Sequence, residues 1–121
     1  MNNLDQLPED VLKEHLELAE RLKDIQEIET AQTDFLGFVK SQWPSFIQGA
    51  HHKTMAEAFD RIATGKVKRL IINMPPRHTK SEFASFLFPA WMMGNNPRMK
   101  IIQATHTTEL AVNFGRKTKN L

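Results

Sequence analysis

The sequence predicts an α/β fold in which helices cover a parallel sheet, preceded by a helical segment at the N-terminus. Residues 67–74 and 99–106 contain continuous apolar runs, which are typical of parallel strands buried on both faces. Helical patterns follow both runs, so the order is strand, helix, strand, helix, as in a βαβ unit. Because two parallel strands do not form a stable sheet by themselves, we expect residues 34–121 to be the N-terminal portion of a larger domain.

Residues 8–30 predict a long amphipathic helix. Pro8 suits the first helical position, and Glu9 and Asp10 suit the positive end of the helix dipole. An apolar stripe runs along one face of this helix, and the opposite face is acidic. Residues 1–33 are therefore predicted to be a separate helical segment that docks either on its own domain or on a partner. The apolar stripe consists of Val11, Leu18, Leu22 and Ile25.

The middle of the chain combines aromatic residues with helix and turn patterns. Residues 53–65 predict a short helix closed by the glycine at its end, and residues 81–94 predict a helix that Pro89 kinks or ends. Thr107 or Thr108 is expected to cap the helix that begins there. Core packing is predicted for most of four aromatic residues, namely Phe35, Phe38, Trp43 and Phe46.

The composition excludes several classes of protein. The 121 residues contain no cysteine, which excludes disulfide frameworks and cysteine-based zinc sites. No apolar run approaches the roughly 18–20 residues that span a bilayer. Residues 1–34 carry ten acidic and three basic side chains, a net charge of −7, whereas residues 35–121 carry four and thirteen, a net charge of +9. This basic excess favours a phosphate-bearing partner, either nucleotide or nucleic acid, although lysines that only solvate the surface would give the same charge.

The segment "MPPRHTKSE", residues 74–82, follows the first predicted strand and ends where a helix can begin. A phosphate-binding loop presents backbone N–H groups at a helix N-terminus, with a lysine for the β/γ-phosphates and a hydroxyl for Mg²⁺. Lys80 and Ser81 supply that pair, but Met74 and Thr79 stand where the usual pattern has glycine. Because a β-branched residue resists positive φ, we expect Thr79 to divert the loop from the usual path. The alternative is a proline turn with a solvated lysine.

The stretch "RLIINMPPRHTKSEFASFLFPAW" resembles the large terminase subunit of tailed bacteriophages, the ATPase-nuclease that packages DNA into proheads. That family has a deviant phosphate loop, commonly PPRHGKS, after its first strand. The stretches "WPSFIQGAHHKTMAEAFDRIATGKVKRL" and "KIIQATHTTELAVNFGRK" are also similar, so the resemblance covers residues 34–121. It implies a P-loop NTPase domain of the RecA-like (ASCE) type, with ATP and Mg²⁺ as ligands.

The resemblance also implies roles for the loop residues. Lys80 would hold the β/γ-phosphates and Arg77 would stabilise charge on the γ-phosphate, which makes these two the predicted catalytic residues. Ser81 would ligate Mg²⁺, and His78 and Thr79 would contribute backbone N–H groups. The predicted nucleotide-binding residues are Gln48, Pro76, Arg77, His78, Thr79, Lys80 and Ser81.

Members of the family recognise adenine through a segment upstream of the loop. The candidates here are Gln48, whose amide can pair with an adenine edge, and Phe46, whose ring can stack on the base. A polar turn residue is the alternative interpretation of Gln48. The histidines have no acidic or cysteine neighbours at ligand spacing, so they predict no metal site.

The family continues into an acidic motif that orients Mg²⁺ and activates water, and then into a ribonuclease-H-type nuclease domain. Neither is present in this sequence, so we expect the chain to bind ATP without hydrolysing it at a useful rate, and to lack nuclease activity. In the full-length protein the implied function is DNA translocation into the prohead, in the cytoplasm of the infected bacterium. The implied partners are double-stranded DNA, the portal protein, the small terminase subunit and further copies in a ring.

Two other functions stay open at this point. One is an interaction module in which the acidic helix docks the small terminase subunit or a neighbouring subunit, with the loop serving only a structural role. The other is a different P-loop protein, such as a helicase-like ATPase. Nucleotide binding separates the packaging ATPase from the interaction module.

Overall fold

Helices account for all of the regular secondary structure in residues 8–121, which are the residues that the computed structural model describes. The predicted N-terminal segment 1–33 therefore falls partly outside the described residues, at positions 1–7. The elements are α1 (Glu9–Thr33), α2 (Phe35–Gln42), α3 (Ala50–Ala63), a π-helical segment (Glu82–Leu87), α4 (Phe88–Asn95) and α5 (Thr108–Lys119).

The predicted parallel sheet is wrong. Residues 67–74 and 99–106 have no regular secondary structure and form no strand pair within the described part of the chain. Ile71 is 86% exposed and Ile102 is 95% exposed, although a sheet covered on both faces would bury them. A strand is stabilised by hydrogen bonds to its neighbours, and an apolar run by itself specifies no neighbour. Residues 8–121 are therefore helical, and they do not form an α/β P-loop NTPase domain of the RecA-like type.

α1 confirms the helix predicted at residues 8–30 and extends it to Thr33. The helix ends where Asp34 becomes extended and donates its N–H to the carbonyl of Thr30 at 2.9 Å. No residue of α1 is buried. Its exposed apolar side chains are Leu12, Leu16, Leu18, Leu22, Ile25 and Ile28.

Two aspartates fix the junction between α1, α2 and α3. Asp34 caps α2 by accepting the N–H of Gly37 at 2.7 Å, and Asp60 of α3 accepts the N–H of Phe35 at 3.1 Å. Burial raises the pKa of Asp60, the hydrogen bond from Phe35 opposes that rise, and the nearby Asp34 adds to it. α2 is therefore held at its first turn by side chains on both sides of it.

Phe35 lies at the centre of the hydrophobic core and is fully buried. The rings of Phe59, Phe83 and Phe88 lie 5.2, 5.5 and 5.6 Å from its ring, each at an angle of 89°. This edge-to-face arrangement is favoured by the quadrupoles of aromatic rings. The prediction that Phe35 is a core residue is confirmed, and three further predicted residues pack partly buried against the same core, namely Phe38, Trp43 and Phe46.

α3 begins at Ala50, three residues before the predicted helix, and ends at Ala63. Gly65 adopts the left-handed conformation with φ of 73° and donates its N–H to the carbonyl of Ile62 at 2.9 Å, which confirms the predicted C-terminal cap. The earlier start brings His51 and His52 into the first turn of the helix.

Pro89 does not end the helix: it lies in the first turn of α4, directly after the π-helical segment, and α4 runs on to Asn95. A proline has no N–H to donate to the carbonyl four residues earlier, here that of Ser85. The backbone is π-helical immediately before this point, and the side-chain amide of Gln103 donates to the Ser85 carbonyl at 2.6 Å. Gln103 thus satisfies an acceptor near the proline and connects residues 99–106 to the helix.

α5 begins as predicted, because Thr107 caps it by accepting the N–H of Leu110 at 3.3 Å. Phe114 is the buried residue of this helix. Lys117 forms an ion pair with Glu82 at 2.9 Å, and its Nζ lies 5.7 Å from the centroid of the Phe86 ring. These contacts hold α5 against the π-helical segment that follows the loop.

Candidate phosphate-binding loop

The loop at residues 74–82 has an unusual backbone. Arg77 and Thr79 both have positive φ, of 63° and 58° respectively, and they are the only non-glycine residues with positive φ among residues 8–121. Alternation of left-handed and ordinary conformations turns successive backbone N–H groups toward one side and forms a concave anion-binding nest. The loop therefore has a backbone shape suited to holding a phosphate group.

Thr79 takes the conformation that its side chain disfavours. Thr79 has φ of 58° although its β-branched side chain disfavours positive φ, and the expected departure of the loop from the usual phosphate-loop path stays a prediction. A left-handed conformation at a residue other than glycine costs about 1–2 kcal/mol, and it persists only where surrounding contacts hold it in place. The contacts of the Thr79 side chain are consequently part of the site.

A chain of three hydrogen bonds joins Thr79 to α3. The N–H of Gly49 donates to Nδ1 of His52 at 2.8 Å, and His52 Nε2 lies 2.7 Å from Oγ1 of Thr79. The Thr79 hydroxyl in turn donates to the carbonyl of His78 at 2.6 Å. Because Nδ1 accepts a hydrogen bond, the proton of the neutral imidazole is assigned to Nε2, which donates to Thr79.

His52 is buried, and its surroundings favour the neutral form of its imidazole. Burial lowers the pKa of His52, and the neighbouring His51 and His78 lower it further. Its ring packs against those of Phe46, at 4.7 Å, and Phe83, at 5.3 Å. The donor that reaches Thr79 is thus carried by a side chain fixed in the core.

The helix after the loop begins at Lys80, directly after Thr79, and becomes π-helical from Glu82. Its first N–H with a backbone acceptor is that of Phe83, which donates to the carbonyl of Thr79 at 3.0 Å. The N–H groups of Lys80 and Ser81 come before it and have no hydrogen-bond partner among residues 8–121. Free N–H groups at a helix N-terminus, together with the positive end of the helix dipole, attract anions.

The loop also carries positive charge that no carboxylate neutralises. Arg77 is exposed and Lys80 is partly buried, and neither forms an ion pair within the described residues. The adjacent carboxylate of Glu82 is paired with Lys117. Residues 74–82 line a cleft of about 460 Å³. A larger cleft of about 600 Å³ lies between α1, α2 and α4, but Asp24 and Glu27 on its wall make it unsuited to phosphate.

The structure brings the predicted site residues together in part. Lys80, Ser81 and the four residues before them share one cleft, and Ser81 is exposed there. Gln48 is exposed in the turn before α3, one residue from Gly49, so the segment that carries it meets the loop through His52. The ring of Phe46 contacts those of Trp43, His52 and Phe83, so core packing accounts for it.

The donor set fits Mg²⁺ bound together with phosphate. Mg²⁺ in phosphate sites is held by one or two protein oxygens, with phosphate oxygens and water completing the shell. The hydroxyl of Ser81 can serve as such an oxygen beside Lys80. Among residues 8–121 no group of three histidine or acidic side chains is placed to hold a metal ion by itself.

His52 is the residue of this site that sequence reasoning missed. The histidines were considered only as metal ligands, for which they lack partners. The pattern that identifies it is Gly49 followed three residues later by His52, at the start of a helix where a side chain can accept the N–H of the residue before the first turn.

Comparisons with protein-family models, curated proteins and solved structures find no match to this chain. The resemblance to large terminase subunits is therefore a prediction that rests on the quoted stretches. No helix in the described residues is both long and apolar enough to cross a membrane.

Proposed function

We propose that the chain binds ATP with Mg²⁺ through residues 74–82 and serves as the ATP-binding part of a phage DNA-packaging motor, the large terminase subunit. The observation that supports this most directly is the backbone of the loop. Positive φ at Arg77 and Thr79 and the free N–H groups of Lys80 and Ser81 favour an anion in the cleft.

Each side chain then has a defined task. Lys80 contacts the β/γ-phosphates, and the hydroxyl of Ser81 ligates Mg²⁺. Arg77 places a permanent cation beside the γ-phosphate, while His78 and Thr79 contribute backbone N–H groups. Pro76 stiffens the turn that precedes them, and Gln48 is the proposed adenine contact. In this proposal Arg77 and Lys80 are the residues that stabilise charge during phosphoryl transfer in the full-length protein.

Binding without rapid hydrolysis is expected of this chain. Hydrolysis requires a carboxylate that orients Mg²⁺ and the attacking water. In the described loop region the nearest carboxylate along the chain is that of Glu82, and Lys117 neutralises it at 2.9 Å.

The first experiment is a calorimetric titration of ATP with Mg²⁺ into the chain and into its Lys80→Ala variant. Loss of a charge-assisted contact to phosphate is worth about 1.5–3 kcal/mol, so we expect affinity to fall about 10- to 100-fold. Lys100→Ala is the matched control, because Lys100 is an exposed lysine outside the loop. Equal affinity in wild type and Lys80→Ala would leave the loop as a proline turn with a solvated lysine.

A second candidate function is an interaction module centred on α1. The observation that favours it is the exposure of the six leucine and isoleucine side chains of this acidic helix. An unpartnered stripe of this kind suits a basic, apolar partner surface, such as one on the small terminase subunit or on a neighbouring subunit. Light scattering of mixtures with that subunit, using Leu18→Glu as the disrupted variant, tests this function independently of nucleotide.

Double-stranded DNA and the portal protein are the other proposed partners. The net charge of +9 over residues 35–121 supports a polyanion such as DNA. Binding to DNA through such charge falls steeply with salt concentration, so a titration at two ionic strengths checks this part of the proposal.

A further inference from the structure

We infer that His52 is a positioning residue for the phosphate-binding loop and that it acts through the hydroxyl of Thr79. The inference rests on the proposed function, because it assigns the control of that same site. His52 itself does not line the cleft formed by residues 74–82. It fixes the backbone that does.

The need for such a residue follows from Thr79. Glycine reaches positive φ without cost, whereas a β-branched residue does so only when other contacts hold it. The contacts here are the hydrogen bond of 2.7 Å from His52 Nε2 and the hydroxyl's own bond of 2.6 Å to the His78 carbonyl. Of these two hydrogen bonds, only the first ties the Thr79 side chain to the core.

The backbone of Thr79 then determines the rest of the site. Its carbonyl accepts the first hydrogen bond of the helix, from the N–H of Phe83 at 3.0 Å. A return of Thr79 to negative φ would turn its carbonyl away and redirect the N–H groups of Lys80 and Ser81. Loss of the His52 link is therefore expected to weaken phosphate binding even though Lys80 and Arg77 are unchanged.

The anchor is firm at its other end. His52 lies in the first turn of α3, whose residues Met55, Ala56 and Phe59 are buried in the core. Its Nδ1 is fixed by the N–H of Gly49, so the ring cannot turn without losing that bond. The loop is thus connected through one side chain to the buried core.

Two substitutions separate the two hydrogen bonds of His52. In His52→Asn, the amide oxygen can still accept the N–H of Gly49, but the side chain is too short to reach Thr79. In His52→Gln, the longer side chain can donate to Thr79 while losing the Gly49 bond. His106→Asn is the matched control, because His106 is an exposed histidine outside the loop.

The experiment is a double-mutant cycle read by calorimetric titration of Mg²⁺-ATP into the whole chain. We expect His52→Asn to weaken binding about five- to tenfold, and His52→Gln to restore it to within about twofold of wild type. In a Thr79→Gly background, where positive φ needs no support, His52→Asn should change affinity by less than about twofold. If His52 had a purely structural role, His52→Asn would weaken binding equally in the threonine and glycine backgrounds.

A second variant keeps the inference testable if the His52 variants fail to fold. Thr79→Val keeps the shape of the side chain and removes the hydroxyl, so it should reproduce the loss caused by His52→Asn. Circular dichroism melts identify any variant that fails to fold. Equal losses from His52→Asn in the threonine and glycine backgrounds overturn the inference while the proposed function stands. Absence of ATP binding by the wild type overturns both.

Discussion

The exposed helix α1 and the aromatic core beneath the loop both contain periodically spaced apolar residues, but these residues end in opposite environments. Leu22 of α1 is 60% exposed, whereas Phe35, two residues past the end of that helix, is 0% exposed. Two side chains of α4 bind the C-terminal end of α1: Trp91 Nε1 donates to the Ala31 carbonyl at 2.8 Å, and Asn95 Nδ2 donates to the Gln32 carbonyl at 3.0 Å. Apolar periodicity therefore predicts a helix but not what covers it.

The core should carry far more of the stability than α1. Phe35→Ala removes a ring that contacts four others, and we expect it to lower the free energy of unfolding by about 3–5 kcal/mol. Chemical denaturation followed by circular dichroism measures this loss. Leu18→Ala in α1 is the control, for which the loss should stay below about 0.5 kcal/mol. Similar losses for the two substitutions would contradict the division between core and exposed helix.

The contact between α1 and α2 is the next test, because it is where the two regions meet. A Cβ added at Gly37 would lie 2.7 Å from Cγ2 and 2.9 Å from the carbonyl oxygen of Thr30. Gly37→Ala should therefore cost about 1–3 kcal/mol by pushing the two helices apart.

Gly94→Ala is the matched control for that substitution. Gly94 lies in α4 with nothing within 4 Å of an added Cβ, so alanine there should be neutral or stabilise the helix by about 0.5–1 kcal/mol. A tolerated alanine at position 37 would show that the two helices can move apart at this junction. α1 would then be less firmly attached than the contact between Gly37 and Thr30 indicates.

Local patterns predicted the helices well and the sheet not at all. The positions of Thr107 and Gly65 identified helix ends because capping depends on a few neighbouring atoms. The apolar runs around Ile71 and Ile102 were assigned to strands because length and branching favour strands, yet a strand depends on distant partners that periodicity does not specify.

Local patterns also indicate the side chains of the candidate site, but they do not predict the backbone conformation at Thr79. Lys80 and Ser81 were identified because a phosphate loop needs those side chains next to a helix start. The left-handed conformation of Thr79 was not predicted, and the hydrogen bond that reaches its side chain comes from His52, 27 residues earlier in the chain. The intrinsic preference of threonine for negative φ predicts the opposite conformation at this residue. Its side chain accepts a long-range hydrogen bond, which the local sequence does not specify.

The smallest effect is expected for the apolar stripe of α1. Leu22→Gln keeps a good helix former and changes only the apolar character of a side chain that is 60% exposed, so the free energy of unfolding should change by less than about 0.5 kcal/mol. Leu87→Gln, at a leucine that is 2% exposed, is the buried counterpart and should cost several kcal/mol. Thermal denaturation at two protein concentrations measures both variants. A loss above about 1 kcal/mol for Leu22→Gln that grows with concentration would mean that α1 is covered by another copy in solution, since only an occupied stripe is sensitive to its apolar content.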